Sequence, residues 1–584
     1  MLLIWLAACQ PIEAPQDTWD SDGPDIDDTG GSDDTGAPPT LLDHCGVTES
    51  EGETWTADVV HRVKCDVKVN QGTLTIEAGA TVIFEDATAL RIGEGDLQAS
   101  LVVAGEAAAP VTFQPVVDTG EPSYKGLQLG ALAEGVQLSH LDMARAGSGN
   151  AAILVTDAEL GVTNVTIQGS EGDGVLFKRA GRFAEGASGL TVSEVEGASV
   201  RIGAEHADSL PREGMDMGDQ GLIALRDGTV TAPLALVDLG ASYLIDGIVQ
   251  FEGTADDPAT LSVGPGVDFR FATGAGLEFS KDGGASAVVM QGTADEPITL
   301  TSYAANERGQ WRGLLFEQGT LTADLEHVVI ENAGDRLKGA VQVDRTTALL
   351  QNVTITGSSS AGLAIRYTGA LEEGSTGLLI SGNATAIQTT AWGMGSVPTD
   401  TIVSGNDQDL IWVTQNGDIP ASTAWTYLGG TLVIDVDIEV NGTAEAPAVL
   451  TLAPGLTLRF VSDKGLFIAG DGGASGLLAN GTESQPIVFT PYDANVPGQW
   501  AGVGIYSQAL AESTQLTHVT IQYGGGRSLK GNLQFKDAGG TVQNALIQYS
   551  SEYGIHVSGD EFAPTLSDVT YVDNVSGDLY EPEE

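Results

Sequence analysis

The 584-residue chain has only three cysteines, 6% aromatic residues, and 25 lysines and arginines against 80 aspartates and glutamates. Each shortage excludes something. A formal net charge of −55 sets up a field that repels nucleic acid, anionic membrane surfaces and polyuronates alike. No stretch reaches 18 consecutive apolar residues, so the sequence predicts no membrane-spanning helix. Apolar residues nowhere recur at i, i+3, i+4 over ten or more positions, and the L-x-x-L-x-L pattern is missing, which removes helical and leucine-rich solenoids. Scarce aromatics leave the core to Val, Leu, Ile and Ala.

What is present in quantity is punctuation, with 77 glycines and 22 prolines. Between them lie short runs of alternating apolar residues. In residues 449–503, Leu450 and Leu452, then Leu456, Leu458 and Phe460, alternate and are closed by Gly, Pro or Asn, the signature of strand, turn and strand. The pattern occurs three times. An Ala-Gly or Pro-Gly turn recurs at Ala78, Pro265 and Pro454, and a strand-opening proline follows at one constant interval, at Pro110, Pro297 and Pro486. An aromatic comes next, again at a constant interval, at Tyr124, Trp311 and Trp500. The copies are therefore spaced evenly, by roughly 190 residues, which marks a strong internal repeat.

A shorter period runs inside each unit. His518, Asn544 and Asp568 head similar four-residue runs, as do His327, Asn352 and Gly377, and His140, Asn164 and Gly189. The step is roughly 25 residues throughout, a length that three short strands and three turns fill as one coil of a parallel β-helix, each coil stacking on the last. About 520 folded residues give roughly 21 coils and a length on the order of 100 Å. The reading divides the chain into residues 1–9, 10–44, 45–235, 236–423 and 424–584: a leader, a tether and three β-helix units, the first with an N-terminal cap. Strand-like runs between the units leave open whether they form one rod or three capped ones.

The start, MLLIWLAAC, resembles a bacterial lipobox, which implies lipidation of Cys9 and a membrane anchor. The apolar run is short and lacks a preceding Lys or Arg, so the true start is expected upstream, or the sequence was trimmed; the alternative is a disordered apolar start with an incidental cysteine. In the resembling lipoproteins a residue other than Asp after the cysteine, here Gln10, implies the outer membrane. Residues 10–43 carry ten carboxylates and no Lys or Arg, the composition of a solvated, self-repelling tether. In an exported chain the two remaining cysteines, Cys45 and Cys65, are expected to form one disulfide pinning a cap onto the first coil; two free buried thiols are the alternative. Two cysteines without clustered histidines are too few for a zinc site.

The runs GTLTIEAGATVIF, LSVGPGVDFRF and LTLAPGLTLRF, with GTADEPITLT and GTESQPIVFT, then GQWRGLLF and GQWAGVGI, resemble the right-handed parallel β-helix proteins of the pectate-lyase-like superfamily, specifically its exported bacterial lipoproteins and surface proteins. The resemblance covers nearly everything after Trp55. It implies an all-β, right-handed parallel β-helix solenoid of three tandem units of about 188 residues in the bacterial cell envelope. It is nearly silent on activity, because that superfamily hosts lyases, glycoside hydrolases, adhesins and non-catalytic surface proteins.

Candidate chemistry is sparse. No Gly-His-Gly occurs; Arg336 with Lys338, and Arg527 with Lys530, lack a companion motif and read as turn residues. Asp435 with Asp437 and Asp407 with Asp409 offer paired carboxylates, but in so acidic a chain they read as solvated turns. His140, His327 and His518 lie seven or eight coils apart and cannot converge on one metal, so each is expected at a strand start with a backbone partner. Trp311 and Trp500 are expected in the core or a cap, not as a sugar platform. No catalytic or metal-binding residue is assigned and the binding residues are unknown. The expected role is structural, adhesive or glycan- or partner-binding, through glycans or cell-surface proteins, without nucleic acid and without a cofactor, calcium remaining a candidate. The alternative is a carbohydrate-active enzyme with a carboxylate site on one unit.

Overall fold

The computed structural model describes residues 40–48, 52–218, 221–559 and 562–582. Cys9 and the tether through residue 39 lie outside them. The segment expected to be tether as far as residue 44 is shorter at its far end: Thr40–Thr48 is a strand that pairs with the strand Val59–Val69. Cys45 and Cys65 join these two strands in a disulfide, with their Cα atoms 4.9 Å apart. Among the described residues no helix is long and apolar enough to cross a membrane.

The body is a parallel β-helix. In the third unit Ala448–Leu452, Thr457–Phe460 and Gly465–Ile468 make one coil, and Ser475–Asn480, Ile487–Pro491 and Gly502–Tyr506 make the next. Leu450 stacks on Leu477, Leu458 on Phe489 and Leu466 on Val503. The three columns are called here the first, second and third face. Period-two alternation sends Leu450, Leu458 and Leu466 inward, where all are buried, and leaves Thr451 and Arg459 facing outward. Each such buried side chain contributes about 1.5–3 kcal/mol, but only when a neighbouring coil covers it, so the coils stabilise one another in series.

The corners explain the recurring polar residues. His140, Asn164 and Gly189, and their counterparts His327, Asn352 and Gly377, and His518, Asn544 and Asp568, all have φ between 45° and 66°. They form the bend between the first and second faces, a left-handed position that Gly adopts freely and that Asn, Asp and His adopt more readily than most residues. His140 lies within the strand Val136–Ala146 and is not a strand start, whereas His327 and His518 come immediately before the strands Val328–Glu331 and Val519–Gln522. Each does keep its place in the backbone ladder, as the His327 N–H donating to the Gln351 carbonyl at 2.9 Å shows. The side chain stacks on the asparagine of the next coil, with His140 Nε2 3.2 Å from Asn164 Nδ2 and His327 Nε2 3.4 Å from Asn352 Nδ2.

Tyr124, Trp311 and Trp500 are fully buried core residues. Each stacks on the phenylalanine that ends the second-face strand of the preceding coil: Phe84, Phe271 and Phe460, at 4.4, 3.8 and 4.4 Å between ring centres. The two indoles donate to the carbonyls of Glu331 and Gln522 at 2.7 and 2.9 Å. The Tyr124 hydroxyl, in the same place, has no partner among the described residues.

The three units are one continuous stack, residues 41–584 forming a single body, but the faces do not run straight through it. Leu127, on the third face of unit one, begins a column that passes through Ile153, Val175, Val200, Ile223 and Tyr243 to Phe269, on the second face of unit two. Leu314, the counterpart of Leu127, begins an equivalent column through Val341, Leu363, Ile387, Ile411 and Leu432 to Leu458, on the second face of unit three. One unit is therefore seven and one-third coils, and each unit is turned by one face relative to the last. A short helix takes the place of a first-face strand before each junction, Ala204–Ser209 and Ala391–Met394.

Candidate functional site

The coil fixes where side chains can converge. Outward residues on one face stack directly above one another, and a corner that widens leaves a groove along the edge. The two unit junctions do this at equivalent places. At the first, a groove of about 620 Å³ is lined by Glu196, Asp238, Ser242, Asp268, Arg270 and Tyr303. At the second, a smaller groove of about 210 Å³ is lined by Tyr427, Thr431, Thr457 and Arg459. Ser242, Asp268 and Arg270 correspond to Thr431, Thr457 and Arg459, offset by the same interval that separates Pro297 from Pro486. Gly240 and Gly266, with φ of 71° and 76°, and Gly429 and Gly455, with 90° and 85°, make the tight turns that hold both corners open.

The polar groups of the first groove are pre-set. Asp268 Oδ2 accepts from Arg270 Nε at 2.7 Å and from the Ser242 hydroxyl at 2.6 Å. Asp238 accepts from the Gly240 N–H at 2.8 Å. Tyr303 is 52% exposed and Tyr427 60% exposed, unlike the buried aromatics of the core. Neither tyrosine stood out in the sequence, because Tyr303 follows a strand as an ordinary turn residue and Tyr427 stands at the very start of unit three, ahead of its repeated motif.

Elsewhere on the faces, several acidic side chains are taken up by basic ones from neighbouring coils, whereas Asp324 faces Glu326 and Glu372. On unit two Glu278 receives Arg312 at 2.6 Å, Glu317 receives Lys281 at 2.7 Å and Asp344 receives Arg366 at 3.2 Å. Burial pushes the Asp344 carboxyl above its ordinary range, against the pull of Arg366 and Gln342. On unit one Asp66 holds Arg91 and Asp173 holds Arg201, at 2.9 and 2.8 Å.

The residues singled out in the sequence are scattered. Arg336 is exposed beside Asp335, and Asp407 pairs with Arg308. Asp409 caps a turn, accepting from the Asn406 N–H at 2.9 Å. Arg527 does more than occupy a turn. Its guanidinium reaches back to Asp437 at 2.6 Å and to the Asp463 carbonyl at 3.2 Å. Two residues on, Glu439 is half-buried, and its Oε2 lacks a partner among the described residues. Burial, followed by the charges of Asp471, Asp437 and Asp418, pushes its pKa up to about 7. Tyr506 is close enough that Glu439, after burial, raises its pKa too. The sequence offered Asp435 as the partner of Asp437; the corner between the strands Thr431–Ile434 and Ile438–Val440 comes between those two, and Asp437 instead leads directly into the strand that carries Glu439.

His140, His327 and His518 are not brought together, each standing in its own unit. Among the described residues no three His, Cys, Asp or Glu side chains are grouped so as to hold a metal ion.

No protein-family model matches the chain, and no curated protein matches it. A solved structure described as the TibC-catalyzed hyper-glycosylated TibA55-350 fragment aligns at 11% identity and a TM-score of 0.13, over 78% of this chain and 97% of that one. At that score nothing about that fragment transfers to this chain.

Proposed function

We propose that this chain is a lipid-anchored β-helix protein of the bacterial cell envelope, related to the exported lipoproteins of the pectate-lyase-like superfamily, that binds glycans or surface proteins without transforming them. The observation that carries the reading is an open groove at the same corner of both unit junctions, each lined by an exposed tyrosine, although the rings come from different positions, Tyr427 aligning with Asp238 and Tyr303 with Tyr492. Concave sites that combine an aromatic face with a few fixed polar groups suit saccharide recognition. The paired state of the facial carboxylates supports the same reading, since Glu278, Glu317 and Asp344 already hold cations of their own. Anchoring would come from Cys9 and the acidic tether, with Gln10 directing the protein to the outer membrane. Calcium is kept as a candidate ligand rather than a cofactor.

A second reading, a carbohydrate-active enzyme, is favoured by one observation: Glu439, its pKa pushed up to about 7, first by burial, lies two residues from Asp437, to which Arg527 donates at 2.6 Å. A carboxyl group that keeps its proton up to near neutrality, with a second carboxyl group beside it, is what acid and base roles on a glycoside require.

The experiment that separates them exposes the full-length chain to an array of neutral and acidic glycans and of surface proteins, with and without calcium, and reads both retention and new reducing or unsaturated ends. Retention without product supports binding. Product that disappears in Glu439→Gln establishes the enzyme instead, and neither signal overturns both.

A further inference from the structure

The two junction grooves share some features and differ in others. Both present a hydroxyl side chain at the same coil position, Ser242 or Thr431, and an arginine shortly beyond the second turn, Arg270 or Arg459; each also presents an exposed tyrosine, but from a different position, Tyr303 from the turn after the strand Ile298–Ser302 and Tyr427 from the place that Asp238 holds in the first groove. Their charge is opposite: Glu196, Asp238 and Asp268 outweigh Arg270 in the first, whereas Arg459 is the charged lining residue of the second. A ligand accepted by both must therefore be held by stacking on a ring face and by hydrogen bonds, not by net charge. That is the chemistry of a neutral saccharide. In the first groove Arg270 spends its Nε on Asp268, which fixes the plane of the guanidinium and leaves its terminal N–H groups for sugar hydroxyls.

The placement of the grooves follows from strand pairing. Both sit at the corner between the first and second faces of their units. The third face of unit two, from Leu314 through Ile411, runs into the second face of unit three at Leu432 and Leu458. The groove-bearing corner consequently moves one edge around the three-sided stack between Gly240 and Gly429. Seven and one-third coils at about 4.8 Å also separate the grooves by roughly 35 Å along the stack. A close-packed core runs without a break between them, so no hinge brings them to one side.

We propose that the two junction grooves are neutral-saccharide sites on different edges of the stack, so that one molecule bridges two glycan chains and does not lie along a single one; this rests on the binding reading above. Equivalent surfaces of the units do not share a line along the stack.

The test uses the full-length chain with cellohexaose, xylohexaose, mannohexaose and chitohexaose. Calorimetric titration with a hexasaccharide that binds is expected to give two sites per chain, and beads coated with that sugar are expected to agglutinate. Tyr303→Ala and Tyr427→Ala should each lower the stoichiometry to one and abolish agglutination while binding persists. The double variant should bind at least tenfold more weakly at both sites. Both rings are exposed, and an unchanged circular dichroism spectrum and melting curve would separate lost binding from lost fold. Failure to bind any of the four sugars, one site per chain in the unaltered protein, or full binding by the double variant would each overturn the proposal. If the double variant still retains a glycan on the array, the binding reading survives and the groove assignment fails. If the unaltered chain is retained by nothing, both fail.

Discussion

Leu127 and Phe269 stand in one column of the core, joined by five intervening residues that pair strand to strand, although they belong to different faces of their own units. The counterpart of Leu127 in unit two is Leu314, on the third face, and that of Phe269 in unit one is Val82, on the second. This offset makes three sequence copies into one molecule whose copies look in different directions. Any function carried by equivalent residues of the units inherits that geometry.

Glu439 supplies a pH prediction. Its folded pKa, about 7, lies above the ordinary 4.5, so the folded state holds the proton more tightly than the unfolded one. Stability is then fully present below about pH 4.5 and falls as pH rises through 7. Because the group is only half-buried, solvent screening reduces the effect to about 1–2 kcal/mol. Glu439→Gln should match the parent below pH 4.5 and exceed it in denaturant stability above pH 7. A variant less stable at pH 8 would show that the carboxylate is favourably held.

Tyr124 and Trp311 test the buried aromatic position. The Tyr124 hydroxyl is buried without a partner, so Tyr124→Phe should be neutral or stabilise by about 1 kcal/mol. Trp311→Phe removes the donor to the Glu331 carbonyl and leaves a void, and should cost about 2–4 kcal/mol. Urea denaturation of both variants checks the pair; a marked loss in Tyr124→Phe would reveal a hydroxyl partner.

At the corner, Asn352 has φ of 54°. Asn352→Ala should cost about 1–2 kcal/mol for the left-handed backbone, while Asn352→Gly should cost less, even though both lose the contact with His327. Equal losses in the two variants would assign the effect to the side chain instead of the backbone.

Reduction of the Cys45–Cys65 disulfide should loosen the first coils by roughly 3 kcal/mol and leave distant ones untouched, since each coil contacts only its neighbours. Hydrogen exchange would show lost protection in Val59–Val69 and Gly72–Glu77 with none lost beyond unit one. Loss spreading to unit three would mean the stack melts as a single cooperative block.

The fold was legible because its causes are local. Alternation at Leu450, Leu452, Leu458 and Phe460, glycines at the turns and a constant step from corner to corner dictate coils directly. The interval from Pro110 to Pro297 even contained the face offset, since it is not a whole number of such steps, but the unequal corner lengths hid it until strands could be paired. The grooves were not legible: they form where two units meet, and Arg527 reaches an aspartate 90 positions away. His140 was misplaced at a strand start because a left-handed bend inside the continuous strand Val136–Ala146 leaves no break in the apolar pattern; His327 and His518 do stand just before strands.

The central claim, that each unit is turned by one face on the next, is tested most directly by cysteine pairing across the second junction. Leu410 lies in register beside Thr431, third face against second. Leu410→Cys with Thr431→Cys should oxidise to a disulfide, found by mass in the digested protein. Leu410→Cys with Asp437→Cys, the pairing expected if third face met third face, should not. A disulfide in the second pair and none in the first would contradict the account.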